Sequence, residues 1–236
     1  MKDLKTARAK HGRAIAAFDA DGTLWNTDLG EALFDFQVRN KLLSGLPPDP
    51  WGHYQNLKVQ VSHEVAYLWL AQINKGLPLK QVQEWAHKAV AEMAPVPVFK
   101  EVRALIDELH AMNVEVYIVT ASIKWAVEPG APLLGISPEN VIGIRTRVVD
   151  GLVTDKQEGP ITYKQGKVTG LLEATGGEKP FFCAGNTEGD LPLLESATDL
   201  RLVIAGSPEN DRNYATERKM LAIAQDRGWY AQNYLA

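Results

Sequence analysis

Short continuous apolar runs alternate with amphipathic stretches along most of this chain. The first run, residues 14–18, is apolar without interruption, which predicts a buried parallel strand rather than an alternating surface strand. Further strands are predicted at residues 114–119, 140–144, 181–184 and 200–204. Because helical stretches separate these strands, the pattern predicts an α/β fold with a mostly parallel, Rossmann-like sheet and helices on both faces.

The segment between the first two predicted strands has a different pattern. It carries three apolar stripes at helical spacing, separated by breaks rich in Gly and Pro, at residues 26–43, 55–74 and 79–93. Nothing in this segment resembles a strand. We therefore predict an all-helical cap of residues 26–97, inserted into a core formed by residues 1–25 and 98–236.

The rest of the core follows the alternating pattern. Its helices are predicted at residues 99–112, 164–174, 188–196 and 212–226. Between residues 145 and 155, Asp150-Gly151 separates two β-type runs, which indicates a hairpin.

Composition and charge limit the classes of function. A formal charge of −4 without any Lys/Arg-rich run argues against nucleic-acid binding. Cys183 is the single cysteine, so the sequence excludes an intrachain disulfide and a cysteine metal cluster. No apolar run could span a bilayer, and the amino terminus lacks the apolar region of a signal peptide. We expect no membrane partner and a cytoplasmic location, unless a leader was removed; the oligomeric state stays open.

Two carboxylates follow the first predicted strand directly. Asp19 and Asp21 are two residues apart, Gly22 permits a tight turn, and Thr23 adds a hydroxyl. Ligands of open α/β sheets bind at the carboxyl ends of the strands. Asp19 is therefore a candidate carboxylate nucleophile and Asp21 a candidate general acid and base. The alternative is an Asp- and Gly-rich turn with a backbone role alone.

Three more polar segments lie at or near predicted strand ends. Thr120 ends the second strand, Lys167 opens a helix, and residues 185–190 follow the fourth strand. Phosphoryl transfer needs a nucleophile, a hydroxyl or amide donor, a cation for the phosphate oxygens and acids for Mg²⁺. All four types are present.

These segments together resemble the haloacid dehalogenase superfamily of phosphatases. The DxDGT motif is matched at residues 19–23, the strand ending in Ser or Thr at Thr120, the lysine at a helix start by Lys167, and GDxxxD at residues 185–190. Each motif alone is weak, but four in order with a cap after the first are highly specific.

The resemblance implies a role for each matched residue. Asp19 would attack phosphorus to form an aspartyl-phosphate, and Asp21 would protonate the leaving alcohol and then activate water. Thr120 would hold a phosphate oxygen, with Ala121 and Ser122 beside it, and Lys167 would stabilise the negative charge. Mg²⁺ would be held by Asp19, the backbone carbonyl of Asp21, and the fourth-motif residues Asn186 and Asp190.

Asn186 departs from the family pattern, which has an aspartate at this position. An amide oxygen can bind Mg²⁺, but the site loses one negative charge. We therefore expect weaker metal affinity, a gain in affinity from Asn186→Asp, and Asp190 as the main carboxylate of this motif.

The helical cap resembles that of the phosphoserine phosphatase branch. In that branch an acid nine residues after the nucleophile recognises the substrate amine, and Asp28 has this spacing. The branch also uses a cap arginine for the serine carboxylate, but residues 40–100 contain none. Lys58 would be a poor substitute because lysine lacks a bidentate fork. Phosphoserine itself is therefore disfavoured.

A closer local resemblance is to bacterial phosphorylcholine phosphatases, in the segments at residues 28–33, 67–72, 115–119 and 138–143. Aromatic faces and carboxylates bind quaternary ammonium groups. Aromatic residues concentrate in or beside the cap at Trp25, Trp51, Tyr54, Trp69 and Trp85. They are either a substrate cage or the packing of a small cap core. Trp25 and Asp28 are the strongest candidates to face the substrate.

The leading hypothesis is thus a Mg²⁺-dependent phosphomonoesterase for a small amine-bearing phosphate ester, resembling phosphocholine, phosphoethanolamine or phosphoserine. Two other hypotheses stay open. One is a phospho-accepting receiver-type domain, against which the cap and Asp21 argue; the other is a weakly active or non-catalytic ligand-binding relative, suggested by Asn186.

Overall fold

The computed structural model describes residues 1–234 and contains one seven-stranded sheet. Its spatial order is β4-β3-β2-β1-β5-β6-β7, and all neighbouring strands run parallel except β3 and β4. In chain order the strands are β1 Ile15–Phe18, β2 Glu115–Ile123, β3 Val141–Val149, β4 Leu152–Glu158, β5 Phe182–Gly185, β6 Leu200–Ala205 and β7 Tyr230–Asn233. The predicted α/β class with a mostly parallel sheet is confirmed.

The described residues form ten α-helices around this sheet. They are α1 Lys2–Arg8, α2 Leu29–Arg39, α3 Pro50–Gln60, α4 His63–Gln72, α5 Leu79–Glu92, α6 Lys100–Ala111, α7 Lys124–Val127, α8 Gln165–Thr175, α9 Leu191–Ser196 and α10 Tyr214–Asp226. Helices α2–α5 lie between β1 and β2 in the chain, as an inserted cap predicts. Within residues 1–234, no helix combines the length and the apolar character needed to cross a bilayer.

The central strand β1 explains why its sequence is apolar at every position. Ala16 and Phe18 pack into the core on one face of the sheet, and Ile15 and Ala17 pack into the core on the other face. A strand that is covered on both faces has no solvent side on which a polar residue would be favourable. Its carboxyl end is therefore held rigidly at the middle of the sheet.

The structure differs from the sequence prediction in three places. The single helix expected at residues 55–74 is two helices, because the Ser62 side chain accepts a hydrogen bond from the Val65 amide and starts α4 there. Strand β7, which follows Leu200–Ala205 at the edge of the sheet, was not predicted. Helix α1 was not predicted either.

Two connections join the cap to the core. The Asn26 amide donates to the Pro97 carbonyl at 2.9 Å, so the chain leaves and re-enters the core side by side. The amides of Gly76 and Leu79 donate to the carbonyls of Val153 and Gly151, which fixes the far end of the cap against the β3–β4 hairpin. The cap thereby lies over the carboxyl end of β1.

Candidate active site

Asp19 lies immediately after β1 and is nearly fully buried, with 6% of its surface exposed. One carboxylate oxygen, Oδ1, accepts from Lys167 Nζ at 2.5 Å, and the other, Oδ2, accepts from Thr23 Oγ1 at 2.9 Å. Burial, followed by the neighbouring Asp190 charge, raises the pKa of Asp19 to about 6 against the opposing effect of Lys167. Asp19 borders the cavity beneath the cap.

Lys167 lies near the start of α8 and connects two carboxylates. Its Nζ is 2.7 Å from Asp190 Oδ1, besides its contact with Asp19, and it donates to the Val119 carbonyl at 2.8 Å. Burial opposes its charge, but the two carboxylates outweigh burial and keep the pKa of Lys167 above its ordinary value. The Asp19, Lys167 and Asp190 side chains together are called the cavity floor below.

The sequence around Lys167 is constrained by close backbone packing. A Cβ atom on Gly166 would lie 1.7 Å from the Ile161 carbonyl oxygen, so no other residue fits there without a backbone shift. The Lys164 amide donates to the Gly189 carbonyl at 3.1 Å, which ties this turn to the loop after β5. The glycine that precedes Lys167 is thus a steric requirement of this turn.

Asp21 is held by three donors from three parts of the site. Its Oδ1 accepts from Trp25 Nε1 and from the Leu29 amide, each at 2.9 Å, and its Oδ2 accepts from Ser122 Oγ at 2.7 Å. Burial raises the pKa of Asp21 to about 6, although these hydrogen bonds act in the opposite direction. A carboxyl group with this pKa exchanges protons near neutral pH, as a general acid and base must.

Thr120, Ala121 and Ser122 line the cavity beside Asp21. Thr120 is 1% exposed, and its Oγ1 accepts from the Ser122 amide at 3.0 Å. The Thr120 carbonyl in turn accepts from Thr162 Oγ1 at 2.5 Å. The sequence placed Ser122 next to the substrate; in the structure it also orients Asp21, for which the sequence offered no signal.

The loop after β5 folds around Asp190. Asp190 Oδ2 accepts from the amides of Asn186 and Thr187 and from Thr187 Oγ1, at 3.1, 2.9 and 3.0 Å. Asn186 is buried, borders the cavity, and donates through Nδ2 to Glu217 Oε1 at 3.1 Å. The Glu217 contact was not predicted, although a glutamate on the apolar stripe of α10, with Met220 and Ala224, was a visible irregularity.

Trp25 does not line the cavity, so the prediction that it faces the substrate is wrong. Its side chain is 0% exposed and belongs to the hydrophobic core, where its six-membered ring packs against Gly130. Only the indole N–H has a polar role, the hydrogen bond to Asp21. A tryptophan that buries its rings commonly satisfies its N–H in this way.

The cavity beneath the cap has a volume of about 980 Å³. Asp21 lies beside the cavity floor of Asp19, Lys167 and Asp190. The wall includes a charged group that we call the wall cluster: Asp28, Glu31, Lys58 and Arg212. Arg212, from the segment between β6 and α10, reaches Asp28 Oδ2 at 2.9 Å and Glu31 Oε1 at 2.5 Å. Lys58 Nζ lies 3.4 Å from Glu31 Oε1.

Asp28 has a structural role besides its place in the wall cluster. Its Oδ1 accepts from the Glu31 amide at 2.8 Å and caps α2. Burial and the nearby Asp21 and Glu31 carboxylates raise the pKa of Asp28 to about 8, against the effect of Arg212. The cavity wall thus contains an arginine, Arg212, which comes from the core at a distance along the chain that no motif spacing could reveal.

The aromatic residues of the cap divide between packing and cavity. Trp51 and Trp69 pack around Phe34, and Trp85 joins the same hydrophobic cluster. Of the five aromatics proposed from the sequence, Tyr54 alone lines the cavity, with Lys58 Nζ 4.0 Å from its ring centroid. The sequence missed the other rings that line the cavity, which are Tyr67, His63 and Tyr163.

The residues proposed to hold Mg²⁺ supply oxygen donors at the ends of two adjacent strands. Asp19 follows β1, and Asn186 and Asp190 follow β5, so carboxylate and amide oxygens meet at one edge, which suits a hard cation. Within residues 1–234 no group of three or more His, Cys, Asp or Glu side chains could hold a metal ion. A site here therefore depends on the Asn186 amide and on backbone oxygen as well as on carboxylates.

Comparisons with known proteins agree with this geometry. A family model described as haloacid dehalogenase-like hydrolase matches residues 16–195. The chain is 27% identical to phosphorylcholine phosphatase of Pseudomonas aeruginosa over 69% of the chain, but spans only 56% of that relative's length. It is 24% identical to histidinol-phosphatase of Neisseria meningitidis serogroup C over 93% of the chain and 98% of that protein.

Solved structures show the same fold. A Bordetella pertussis Tohama I protein of unknown function superposes with a TM-score of 0.71 at 22% identity, covering 94% of this chain and 98% of that one. A substrate-bound phosphoserine phosphatase complex superposes with a TM-score of 0.54 at 15% identity, covering 92% and 99%. At these identities the structural likeness concerns the fold alone.

Proposed function

We propose that this chain, which belongs to the haloacid dehalogenase-like hydrolases, hydrolyses a small amine-bearing phosphomonoester through an aspartyl-phosphate intermediate. The observation that supports the proposal most is the convergence of Asp19, Lys167 and Asp190 on the floor of one cavity, with Asp21 and Thr120 beside them. These side chains come from four separate parts of the sequence.

Four residues of the cavity have a part in the proposed reaction. The Asp19 carboxylate attacks phosphorus, the bond between phosphorus and the ester oxygen breaks, and Asp21 gives its proton to the departing alcohol. Asp21 then takes a proton from the water that attacks the aspartyl-phosphate, which releases phosphate and restores Asp19. The raised pKa of Asp21, about 6, supports this double role. Lys167 and Thr120 stabilise the charge on the phosphoryl oxygens.

Mg²⁺ would be held by the carboxylates of Asp19 and Asp190, the Asn186 amide oxygen and the Asp21 carbonyl. When bound, the cation supplies positive charge that neutralises the phosphoryl oxygens and aligns the phosphate with the nucleophile. The contribution of the protein is to keep Asp19 oriented through Thr23 and Lys167.

The amine preference of the proposal rests on the wall cluster. The acidic side chains of Asp28 and Glu31 line the cavity, as do the Tyr54, Tyr67 and Tyr163 rings. Carboxylates and aromatic faces favour a cationic headgroup. The named relatives act on phosphorylcholine and histidinol phosphate, both of which carry nitrogen. We accordingly include phosphocholine, phosphoethanolamine, phosphoserine and histidinol phosphate as candidate substrates.

The test is phosphate release from these four esters and from amine-free glycerol phosphate, with Mg²⁺ present. We expect steady turnover, faster for the amine-bearing esters, and none in Asp19→Asn. Asp35→Asn serves as the matched control, because Asp35 lies on α2 and pairs with the exposed Arg39 outside the cavity. Equal rates with all five esters would contradict the amine preference while leaving the phosphatase assignment intact.

The two other hypotheses predict different outcomes in the same assay. A receiver-type domain would accumulate one phosphate per chain without turnover. A non-catalytic relative would bind an ester without either result. The raised pKa of Asp21 and its three hydrogen bonds favour the hydrolase, because a receiver needs no general acid at this position.

A further inference from the structure

The Asn186 side chain lies between two fixed neighbours. On one side is the backbone of Gly22, where an added Cβ atom would come within 2.2 Å of Asn186 Nδ2. On the other side is Glu217, whose Oε1 accepts from Nδ2 at 3.1 Å. Asn186 borders the cavity, and because its nitrogen is bound to Glu217, its oxygen is the side-chain atom available to a cation. The orientation of the amide is therefore set from outside the proposed metal site.

The Glu217 side chain is a buried hydrogen-bond acceptor. It is 0% exposed on α10, and its Oε2 accepts from the amides of Gly206 and Ser207 at 3.0 and 2.9 Å. Its Oε1 accepts from Ser207 Oγ at 2.9 Å in addition to Asn186. Among residues 1–234 the side chain thus accepts from four donors, an arrangement that suits an acceptor-only carboxylate. A buried charge of this kind is retained at a cost, which suggests a role.

We propose that Glu217 is a positioning residue for the metal centre, which orients the Asn186 oxygen toward the cation and supplies, one residue further out, the negative charge that Asn186 lacks. This inference rests on the metal site of the proposed function. Groups behind metal ligands commonly fix the orientation of those ligands in this way. The pair Asn186–Glu217 then replaces an aspartate with the same total charge.

This pairing reverses the expectation for Asn186→Asp that the sequence alone suggests. In Asn186→Asp, a carboxylate oxygen would take the place of Nδ2, which now lies 3.1 Å from Glu217 Oε1. Two such charges cannot both be accommodated without rotation or proton uptake. The single variant is therefore expected to bind Mg²⁺ no more tightly than the wild type. Asn186→Asp combined with Glu217→Gln restores a donor–acceptor pair and recovers wild-type affinity or better.

The test is a double-mutant cycle with Mg²⁺ binding to the full chain measured by calorimetry, without substrate. Glu217→Gln alone places an NH₂ group against the Asn186 NH₂ group, so the amide turns over and affinity falls, by about 10- to 100-fold. The double variant shares every disturbance of Gly206 and Ser207 that Glu217→Gln causes. Recovered affinity in the double variant therefore separates positioning from general damage to the fold, which thermal unfolding without Mg²⁺ also monitors.

Two results would overturn the proposal, and they differ. If the effects of the two substitutions simply add, or Glu217→Gln leaves Mg²⁺ affinity unchanged, Glu217 does not position Asn186, and the phosphatase proposal stands. If the wild type shows no saturable Mg²⁺ binding, the metal centre itself is wrong, and this inference fails with it.

Discussion

The cavity floor and the wall cluster hold their charges differently. On the floor, Lys167 and Asp190 are almost completely buried, and the lysine contacts two carboxylates at 2.5 and 2.7 Å. In the wall cluster, the Arg212 side chain is 47% exposed, and its two acidic partners come from the cap while it comes from the core. The floor is a fixed buried network; the wall is a set of partly solvated ion pairs.

The difference follows from the cost of moving charges out of water. A buried charge that loses its partner is strongly unfavourable, whereas an exposed ion pair contributes little and exchanges partners easily. The floor therefore suits a chemical step that needs constant geometry. The wall cluster suits recognition, because a substrate ammonium group can replace Arg212 against Asp28 and Glu31. Four substitutions test this contrast, from the largest expected effect to the smallest.

Lys167→Met removes the cation from the floor and leaves Asp19 and Asp190 as neighbouring buried carboxylates. We expect a loss of unfolding free energy of about 3–5 kcal/mol together with loss of turnover. Chemical denaturation measures the first effect. Lys75→Met is the control, since Lys75 pairs with Asp155 at the surface and its loss should cost less than about 1 kcal/mol. An equal loss of unfolding free energy in both variants would contradict the contrast between the buried floor and the exposed ion pairs.

Asp21→Asn keeps the shape of the side chain but removes its ionisation. Burial raises the pKa of Asp21 from 3.8 to about 6, so the folded state binds this proton more tightly than the unfolded state does. The Asp21 contribution to stability is therefore full at low pH and is lost as the pH rises from about 4 to 6. Without metal, the free energy of unfolding of the variant should be larger than that of the wild type. The difference should grow between pH 4 and pH 6 and reach on the order of 1–2 kcal/mol at higher pH.

Denaturation of metal-free Asp21→Asn and wild type at a series of pH values measures that difference. Turnover should be lost in the same variant, since the proton donor to the leaving group is gone. A stability difference that stays constant from pH 4 to pH 7 would mean that Asp21 is not held with a raised pKa.

Arg212→Met frees Asp28 and Glu31 from their internal cation. We expect KM for an amine-bearing ester to fall by about two- to fivefold, as the exposure of the pair suggests, with kcat nearly unchanged. Arg39→Met, which breaks exposed pairs with Asp35 and Glu92 in the cap, is the matched control. A rise in KM instead would indicate that Arg212 itself contacts the substrate.

Trp25→Phe removes one hydrogen bond from Asp21 and is expected to have the smallest effect. Because the indole N–H lowers the pKa of Asp21, its loss should move the corresponding limb of the kcat/KM profile to higher pH. Trp85→Phe, in the cap core, should leave the profile in place. An unchanged profile for both variants would show that the indole acts only by packing.

The same contrast explains which features the sequence could predict. The floor follows strand ends, and strand ends are recognisable because β1 is apolar on both faces and Asp19 follows it directly. Gly22 is recognisable because a tight turn after Asp21 requires it. The predicted positions of Asp19, Thr120, Lys167 and Asp190 around one cavity follow from these local rules.

The contacts of the wall cluster and of Glu217 cannot be predicted from any short segment of the sequence. Arg212 meets Asp28 across 184 positions of the chain, and Glu217 meets Asn186 across 31, so only the folded sheet brings them together. Trp25 was misassigned because an aromatic next to a catalytic motif has the same sequence signature whether it faces a cavity or the core. Burial, which decides between them, is a tertiary property.

The central claim is that Asp19 becomes phosphorylated during turnover, and trapping this intermediate tests it most directly. The protein is mixed with Mg²⁺ and phosphocholine or histidinol phosphate, quenched in acid within one turnover, and reduced with borohydride, which converts an aspartyl-phosphate into homoserine. Peptide mass spectrometry then locates the change. The account predicts homoserine at position 19 and none in Asp19→Asn. Steady phosphate release with Asp19 unmodified, or with homoserine at another aspartate, would contradict it.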